Sequence, residues 1–337
     1  MSGGRGPASA VDTGYPHLDL RWRNGVALRL PLRAVLVNVT SGVAALLFAT
    51  VSLEVGDFTL EPSAVFDVLA GAGSAAERMV VLEWRMPIAL AALLFGALLG
   101  VAGAVFQSLT RTPLGSPDVI GFDAGSYTAV IVAMLLFGVT GYWLIAGAAV
   151  AGGLLTALAV WLLSYRRGMH GFRLIIVGIG ASALLGSVNS YLITQADQSD
   201  LVAAGFWGAG SLSRTDWSNL APALVAGIVV LVLLCVFSRP LRQLELGDDA
   251  ARSHGISADR TRVVLLALGV AASAVVTAAA GPIGFVALAA PQIGRRVSRS
   301  PGISLVSAAC AGAFLLSAAQ LLSAALDVWY RSVPVGL

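Results

Sequence analysis

The sequence predicts an all-α, polytopic membrane protein, on three observations. Apolar stretches of ~20 residues, each long enough to cross a ~30 Å hydrocarbon core as a helix, recur along most of the chain. The composition is 57% hydrophobic and 12% charged, with a mean hydropathy of +0.85; a soluble domain is nearer half apolar and one quarter charged, about twice this charge. The third is that the basic residues of the connecting segments sort to one side of the predicted topology. A β-barrel would show alternation over strands of about ten residues, and none is present.

The elements follow in order. Residues 1–33 contain Gly, Arg and Pro and form an N-terminal tail; the first apolar run comes only afterwards, which is not the pattern of a cleavable signal. Nine helical segments are expected near 34–54, 86–109, 118–138, 142–164, 172–194, 219–238, 261–279, 282–297 and 302–326. The second starts at Arg85-Met86-Pro87 and runs apolar to Phe106. Pro113 and Pro117 then forbid a continuous helix and set a tight turn before the third. The seventh and eighth are read as short and split by Gly281-Pro282, the pattern of a buried or re-entrant element beside a cavity. Residues 55–84 and 195–218 form two long connections on one side, and 239–260 the longest on the other. Within 239–260, Asp248 and Asp249 are placed to cap a short helix near 248–254, ended by Gly255.

Charge sets the orientation. All 21 basic residues other than histidine are arginine, and a cytoplasmic N-terminus places 17 of them on the cytoplasmic side. Only Arg78, Arg85, Arg214 and Arg331 fall outside, on a face rich in Asp and Glu. The positive-inside rule selects this topology. The absence of lysine excludes a P-loop, whose lysine reaches the nucleotide phosphates. Any ATP-driven step therefore belongs to another polypeptide. Cys235 and Cys310 lie in apolar segments and imply no disulfide framework; His17, His170 and His254 lack metal-ligand spacing. No ionised residue is expected mid-membrane, which argues against a proton or sodium relay. No nucleophile–base constellation suggests an enzyme, and no nucleic-acid partner is expected.

Several residues carry two readings. Gly96, Gly100 and Gly103 lie at i, i+4 and i+7 on one helix face, where they serve close helix packing or a smooth pathway wall. Gln107, one turn from the end of that helix, hydrogen-bonds loop backbone or lines the pathway. The fifth segment carries Ser182, Ser187, Asn189, Ser190, Tyr191 and Thr194, polar groups that should face protein or water, for a pathway or for hydrogen bonds between helices. Arg295 and Arg296 are suited to anionic lipid headgroups.

Four blocks in fixed order carry a resemblance: RMP followed by GALLGVAGAVFQSLTRTPLGSPDVIGF; FRLIIVGIGASALL; LELGDDAARSHGI; and GPIGFVALAAPQIGRR. Over roughly residues 80–337 the chain resembles the FecCD-type permease family of binding-protein-dependent ABC importers, most of all its ferric-enterobactin permeases. The resemblance implies a permease domain over 34–337 in the cytoplasmic membrane, without covalent chemistry or a cofactor of its own. ATP and Mg would sit on a dimer of partner ATPases, and a second permease subunit, identical or not, would complete the membrane unit. A periplasmic or lipid-anchored binding protein would deliver ferric siderophore; haem or cobalamin import is the alternative within the family, and ion-coupled secondary transport the alternative outside it. Leu246, Gly247, Asp248, Asp249, Ala250, Ala251 and Gly255 fall on the segment that docks on the ATPase. Arg85 and Arg331 are expected to receive acidic residues of the binding protein. The chain departs from the family at Ile88, where a second arginine is frequent, and at His254, Ala287 and Gln292. It also ends at Val333-Pro334-Val335-Gly336-Leu337, where the family continues into a further span, so nine spans are expected where the family has about ten.

Overall fold

The computed structural model describes residues 17–21, 27–56, 58, 60–165, 171–300 and 302–329. Its helices are α1 Leu32–Val51, α2 Pro62–Leu69, α3 Ala75–Arg78, α4 Met86–Thr110, α5 Phe122–Phe137, α6 Tyr142–Ser164 and α7 Gly171–Thr194, then α8 Gln198–Gly208, α9 Trp217–Val236, α10 Ser238–Glu245, α11 Asp248–Ser253, α12 Ala258–Ala280, α13 Val286–Ser298 and α14 Leu305–Trp329. The tail holds an unforeseen antiparallel hairpin, β1 His17–Arg21 and β2 Ala27–Pro31, with His17 opposite Pro31 and Arg21 opposite Ala27. The all-helical class holds for the rest.

All nine expected segments are helical, but among the described residues only seven helices have the length and composition to cross a membrane. The other two are α5, with 16 residues, and α13, with 13. At 1.5 Å per residue these reach roughly 24 and 20 Å, short of the ~30 Å core. The expected short pair is thus half right. α12 is a full 23-residue helix, and only α13 is short.

α4 is the axis of the bundle. A capping box starts the helical run that leads into it: Ser74 N–H donates to Glu77 Oε2 (2.7 Å) and Glu77 N–H to Ser74 Oγ (3.3 Å), which holds the Glu77 carboxyl below its usual pKa. Met79–Arg85 is wound as a π-helix, and the Trp217 indole N–H donates to the Leu82 carbonyl at 2.8 Å. The run Ala75–Thr110 is 72% buried over its most apolar window, against 11% for α1 and 17% for α7. Every residue from Leu98 to Thr110 is buried. In contrast α1, α6, α7 and α9 leave large apolar side chains exposed, such as Leu46, Leu155, Ile176 and Val229, as lipid-facing helices must.

Glycines set the distance between α4 and its neighbours. A Cβ on Gly96 would strike the Gly312 carbonyl, one on Gly100 the Ala308 carbonyl, and one on Gly103 the Ala287 carbonyl; on α14, a Cβ on Gly312 would strike the Gly96 carbonyl in return. Gly96, Gly100 and Gly103 are therefore packing residues. Gly103 has a further fit. Pro291 lies inside α13 and has no N–H for the carbonyl four residues back, which is that of Ala287. The carbonyl so freed faces the Gly103 Cα, in place for a weak C–H···O contact.

Two breaks admit irregular backbone to the bundle. After Arg111 the chain does not turn back at the surface. Gly178 packs on Ile120, and Gly178 lies seven residues into α7, roughly 10 Å along its axis. α5 is short because residues 112–121 cover that depth without a continuous helix. The second break is Gly281–Phe285. Gly281 has φ 78°, and its Cβ would meet the Trp207 carbonyl at 2.6 Å, so glycine is required twice over. Ser211 N–H donates to the Ala280 carbonyl at 2.8 Å and holds the break against the α8 connection.

The packing predicts a contrast. Gly103→Leu drives a side chain into the α13 backbone and lowers stability by about 1–3 kcal/mol or more. Gly180→Ala, with no atom within 4 Å of the added methyl, is neutral or stabilising by up to about 1 kcal/mol. Denaturant unfolding of both variants in detergent measures the difference.

Candidate functional site

The 239–260 segment is not one irregular loop with a single short helix. It folds as two helices, α10 and α11. Leu241 and Leu244 lie three residues apart, so they share one face of α10, and both are buried against the bundle. Leu246, which continues the leucine run, is 72% exposed, because the helix ends there. Gly247, at φ 115°, turns the chain into α11 and occupies its cap position. The expected capping by an aspartate side chain is thus replaced: the helix opens after glycine, with Asp248 and Asp249 in its first turn. Gly255, at φ 78°, closes it as expected, with Gly255 N–H on the Arg252 carbonyl (2.9 Å) and Ile256 N–H on Ala251 (3.0 Å).

The two alanines divide the labour. Ala251 is fully buried and seats α11 on the bundle, while Ala250 is partly exposed. Leu246, Asp249, Arg252, Ser253 and His254 are exposed in this segment. The His254 ring folds back onto the Ala250 carbonyl at 2.7 Å. The Arg252–Asp249 pair at 3.9 Å is exposed and contributes little.

Two bonds anchor this segment to α4. Ser108 Oγ donates to Glu245 Oε1 at 2.7 Å, and Arg111 Nη2 donates to the Leu244 carbonyl at 3.2 Å. Arg111 can reach back because it ends α4 in the left-handed conformation, at φ 54°. Just inside, Gln107 is buried between α4 and α13. Its Nε2 donates to the Leu288 carbonyl (3.0 Å) and its Oε1 accepts from Gln292 Nε2 (2.7 Å). Both of its amide groups are thus used between helices. Gln292 is one of the family departures, and the pair shows its use.

On the acidic face, Arg85 has structural work. Its Nη1 donates to the Leu53 carbonyl (2.8 Å) and its Nη2 to Phe58 (2.6 Å), which ties the connection after α1 to the start of α4. It also lines a cavity of about 250 Å3 with Trp84, Gln320 and Asp327. Arg331 lies outside the described residues. Asn189 is 5% exposed with its Oδ1 unpartnered. The hydroxyls of Ser187 and Ser190 bond to the Ala183 and Gly186 carbonyls of their own helix, so they do not join neighbouring helices.

Two carboxyl groups are buried in the bundle that the hydropathy pattern did not mark. Asp118 and Asp123 lie within the bundle at the two breaks. The Asp118 carboxyl rests against that of Asp123 and the Phe285 backbone N–H, and Asp123 also meets the Thr277 hydroxyl. Their Oδ1 atoms are buried without a partner. Sequence reasoning put Asp118 at the end of a span, where a carboxylate would be wet; the ascent of residues 112–121 carries it inward.

Glu245→Ala removes the acceptor of Ser108 and frees α10; faster amide exchange in 238–247 is expected, equivalent to about 1 kcal/mol, while Glu245→Gln, which keeps an acceptor, loses less. Arg85→Ala strands the Leu53 and Phe58 carbonyls, and limited proteolysis is expected to cut at residues 53–60 well before it cuts the parent chain.

The comparisons with known proteins agree with one another. Residues 44–337 match the FecCD transport family. The ferric enterobactin transport system permease protein FepG of Escherichia coli is 44% identical over 306 residues, covering 90% of this chain and 92% of its own. The iron(3+)-hydroxamate import system permease protein FhuG of Bacillus subtilis is 32% identical over 297 residues, covering 85% and 88%. Among solved structures, a metal-chelate type ABC transporter in an inward-facing conformation superposes with a TM-score of 0.76 at 24% identity, over 90% of this chain and 94% of that one, and so shares its fold. By the family match and by the identity to FepG along nearly the whole chain, the protein belongs to the FecCD transport family.

Proposed function

We propose that this chain is the membrane-spanning permease subunit of an ABC importer for ferric siderophores, with its N-terminus and the 239–260 segment in the cytoplasm. The observation that carries the substrate class is the 44% identity to an enterobactin permease along nine tenths of the chain. The arginine distribution supports the orientation. ATP and Mg belong to two ATPase subunits, because this chain has no lysine for a phosphate loop. The permease catalyses no covalent step.

Its own residues would couple the two processes. The exposed surface of Leu246, Asp249 and His254 would dock on the ATPase, with Gly247, Ala250 and Gly255 shaping α11 and Ala251 seating it. Ser108–Glu245 and Arg111–Leu244 would pass displacement of α10 to the end of α4. α4 would carry α13 and α14 with it, because their backbones touch. Each access state must bind its partners differently for ATP to drive the exchange. A second permease would complete the pathway. Arg85 and Arg331 remain the proposed receptors for the binding protein. Arg85 would act through the loop it holds as much as by direct pairing.

Two measurements test this. In a strain lacking the chromosomal permease, this chain restores uptake of a radiolabelled ferric siderophore; no uptake of any iron chelate refutes the substrate class. Leu246→Glu places a charge at the docking centre and weakens ATPase association at least about tenfold in pull-downs, an ordinary cost for a central interface residue. Unchanged association moves the docking surface elsewhere.

A further inference from the structure

The ends of α6 and α12 on the arginine-rich face enclose a groove of about 490 Å3. Arg260 and Arg262 line it with one counter-charge, Asp259, so its mouth is net cationic. Arg260 is exposed; Arg262 is half-buried and also engaged within the protein. One wall is Trp161 and Tyr165, whose ring centroids are 5.4 Å apart. Trp and Tyr favour the membrane–water boundary, with an apolar body and a polar tip.

Beyond the mouth the lining changes character. A second cavity of about 240 Å3 shares Trp161 and Val263 with the first and is lined by apolar side chains alone, among them Leu158, Leu174, Leu266 and Val270. Leu158 is half exposed, so this cavity opens sideways rather than into the core. From Arg260 to Val270 the rise along α12 is roughly 15 Å, half the ~30 Å hydrocarbon thickness, which is one leaflet. The order from the surface inward is cationic, aromatic, apolar. A phospholipid presents anionic headgroup, interfacial backbone and acyl chain in that same order.

We propose that the α6–α12 groove binds an anionic glycerophospholipid, its phosphate on Arg260 and Arg262 and one acyl chain along Val263–Val270. The choice of leaflet rests on the orientation proposed above; the lipid itself does not. A free phosphate would use only the mouth, and a second copy of the chain would not select for headgroup charge.

The test is lipid retention by the full chain in mild detergent, read by native mass spectrometry with added phosphatidylglycerol, phosphatidylcholine or inorganic phosphate. Phosphatidylglycerol is retained in preference to phosphatidylcholine, and millimolar phosphate does not displace it. Arg260→Gln lowers phosphatidylglycerol affinity about fivefold, the worth of one surface arginine, and leaves phosphatidylcholine unchanged. Ala267→Trp, in the apolar cavity, lowers both lipids. Equal retention of the two lipids with no effect of Arg260→Gln overturns the proposal. So does displacement by phosphate alone, or an Ala267→Trp variant that changes oligomeric state without loss of lipid. Should Ala267→Trp fail to fold, the charge comparison still decides. Siderophore uptake measured on Arg260→Gln separates this claim from the transport reading: lost headgroup selectivity with uptake intact is consistent with both, whereas absent uptake in the parent chain leaves the lipid result standing.

Discussion

The backbone of α4 touches the backbones of α13 and α14, and much of the structure depends on that approach. It requires Gly96, Gly100 and Gly103 on one side and Gly312 on the other. In a membrane no hydrophobic force draws one apolar helix to another, so association relies on packing and on polar contacts between helices. Removing side chains from the seam maximises the packing. Pro291 adds to it by freeing the Ala287 carbonyl to face Gly103. Gln107 closes the same seam with two hydrogen bonds to α13. A helix so held cannot bend away from its neighbours, and it moves with them or not at all.

That rigidity gives the anchorage of α10 its meaning. Ser108, Thr110 and Arg111 end the central helix on the arginine-rich face. The bonds from Ser108 to Glu245 and from Arg111 to Leu244 join it to the segment that the family resemblance assigns to the ATPase. The route from α11 through α10 to α4 and on to α13 and α14 is continuous in contacts. Contiguity alone is a weak warrant for coupling. The links between α10 and α4 are hydrogen bonds, and those from α4 to α13 and α14 are close backbone approaches.

Much of this was legible in the sequence, and the remainder has physical reasons. Glycine spacing at 96, 100 and 103 marked a face for close packing or a pathway wall, and the backbone approaches to α13 and α14 decide for packing. Gly255 marked the end of α11, since a left-handed residue is needed there. Hydropathy located nine helices, of which seven among the described residues have the length and composition of a span; it reports polarity and not depth. The same blindness hid the Asp118–Asp123 pair: a carboxylate beside a turn reads as solvated until the turn is seen to rise. Arg85 was visible as a rare outer arginine, yet its carbonyl partners at Leu53 and Phe58 lie 32 and 27 residues away and leave no local signal. The lipid groove combines residues 161–165 with 259–270, which nothing in the linear order brings together.

The central claim is that this chain moves ferric siderophore by transmitting ATP-driven motion from a separate subunit. The most direct measurement is uptake into proteoliposomes containing the permease with its ATPase, with binding protein and ferric siderophore outside. The account predicts accumulation only when ATP and Mg are enclosed on the ATPase side, with no response to an imposed proton or sodium gradient. Accumulation driven by such a gradient without ATP would contradict it.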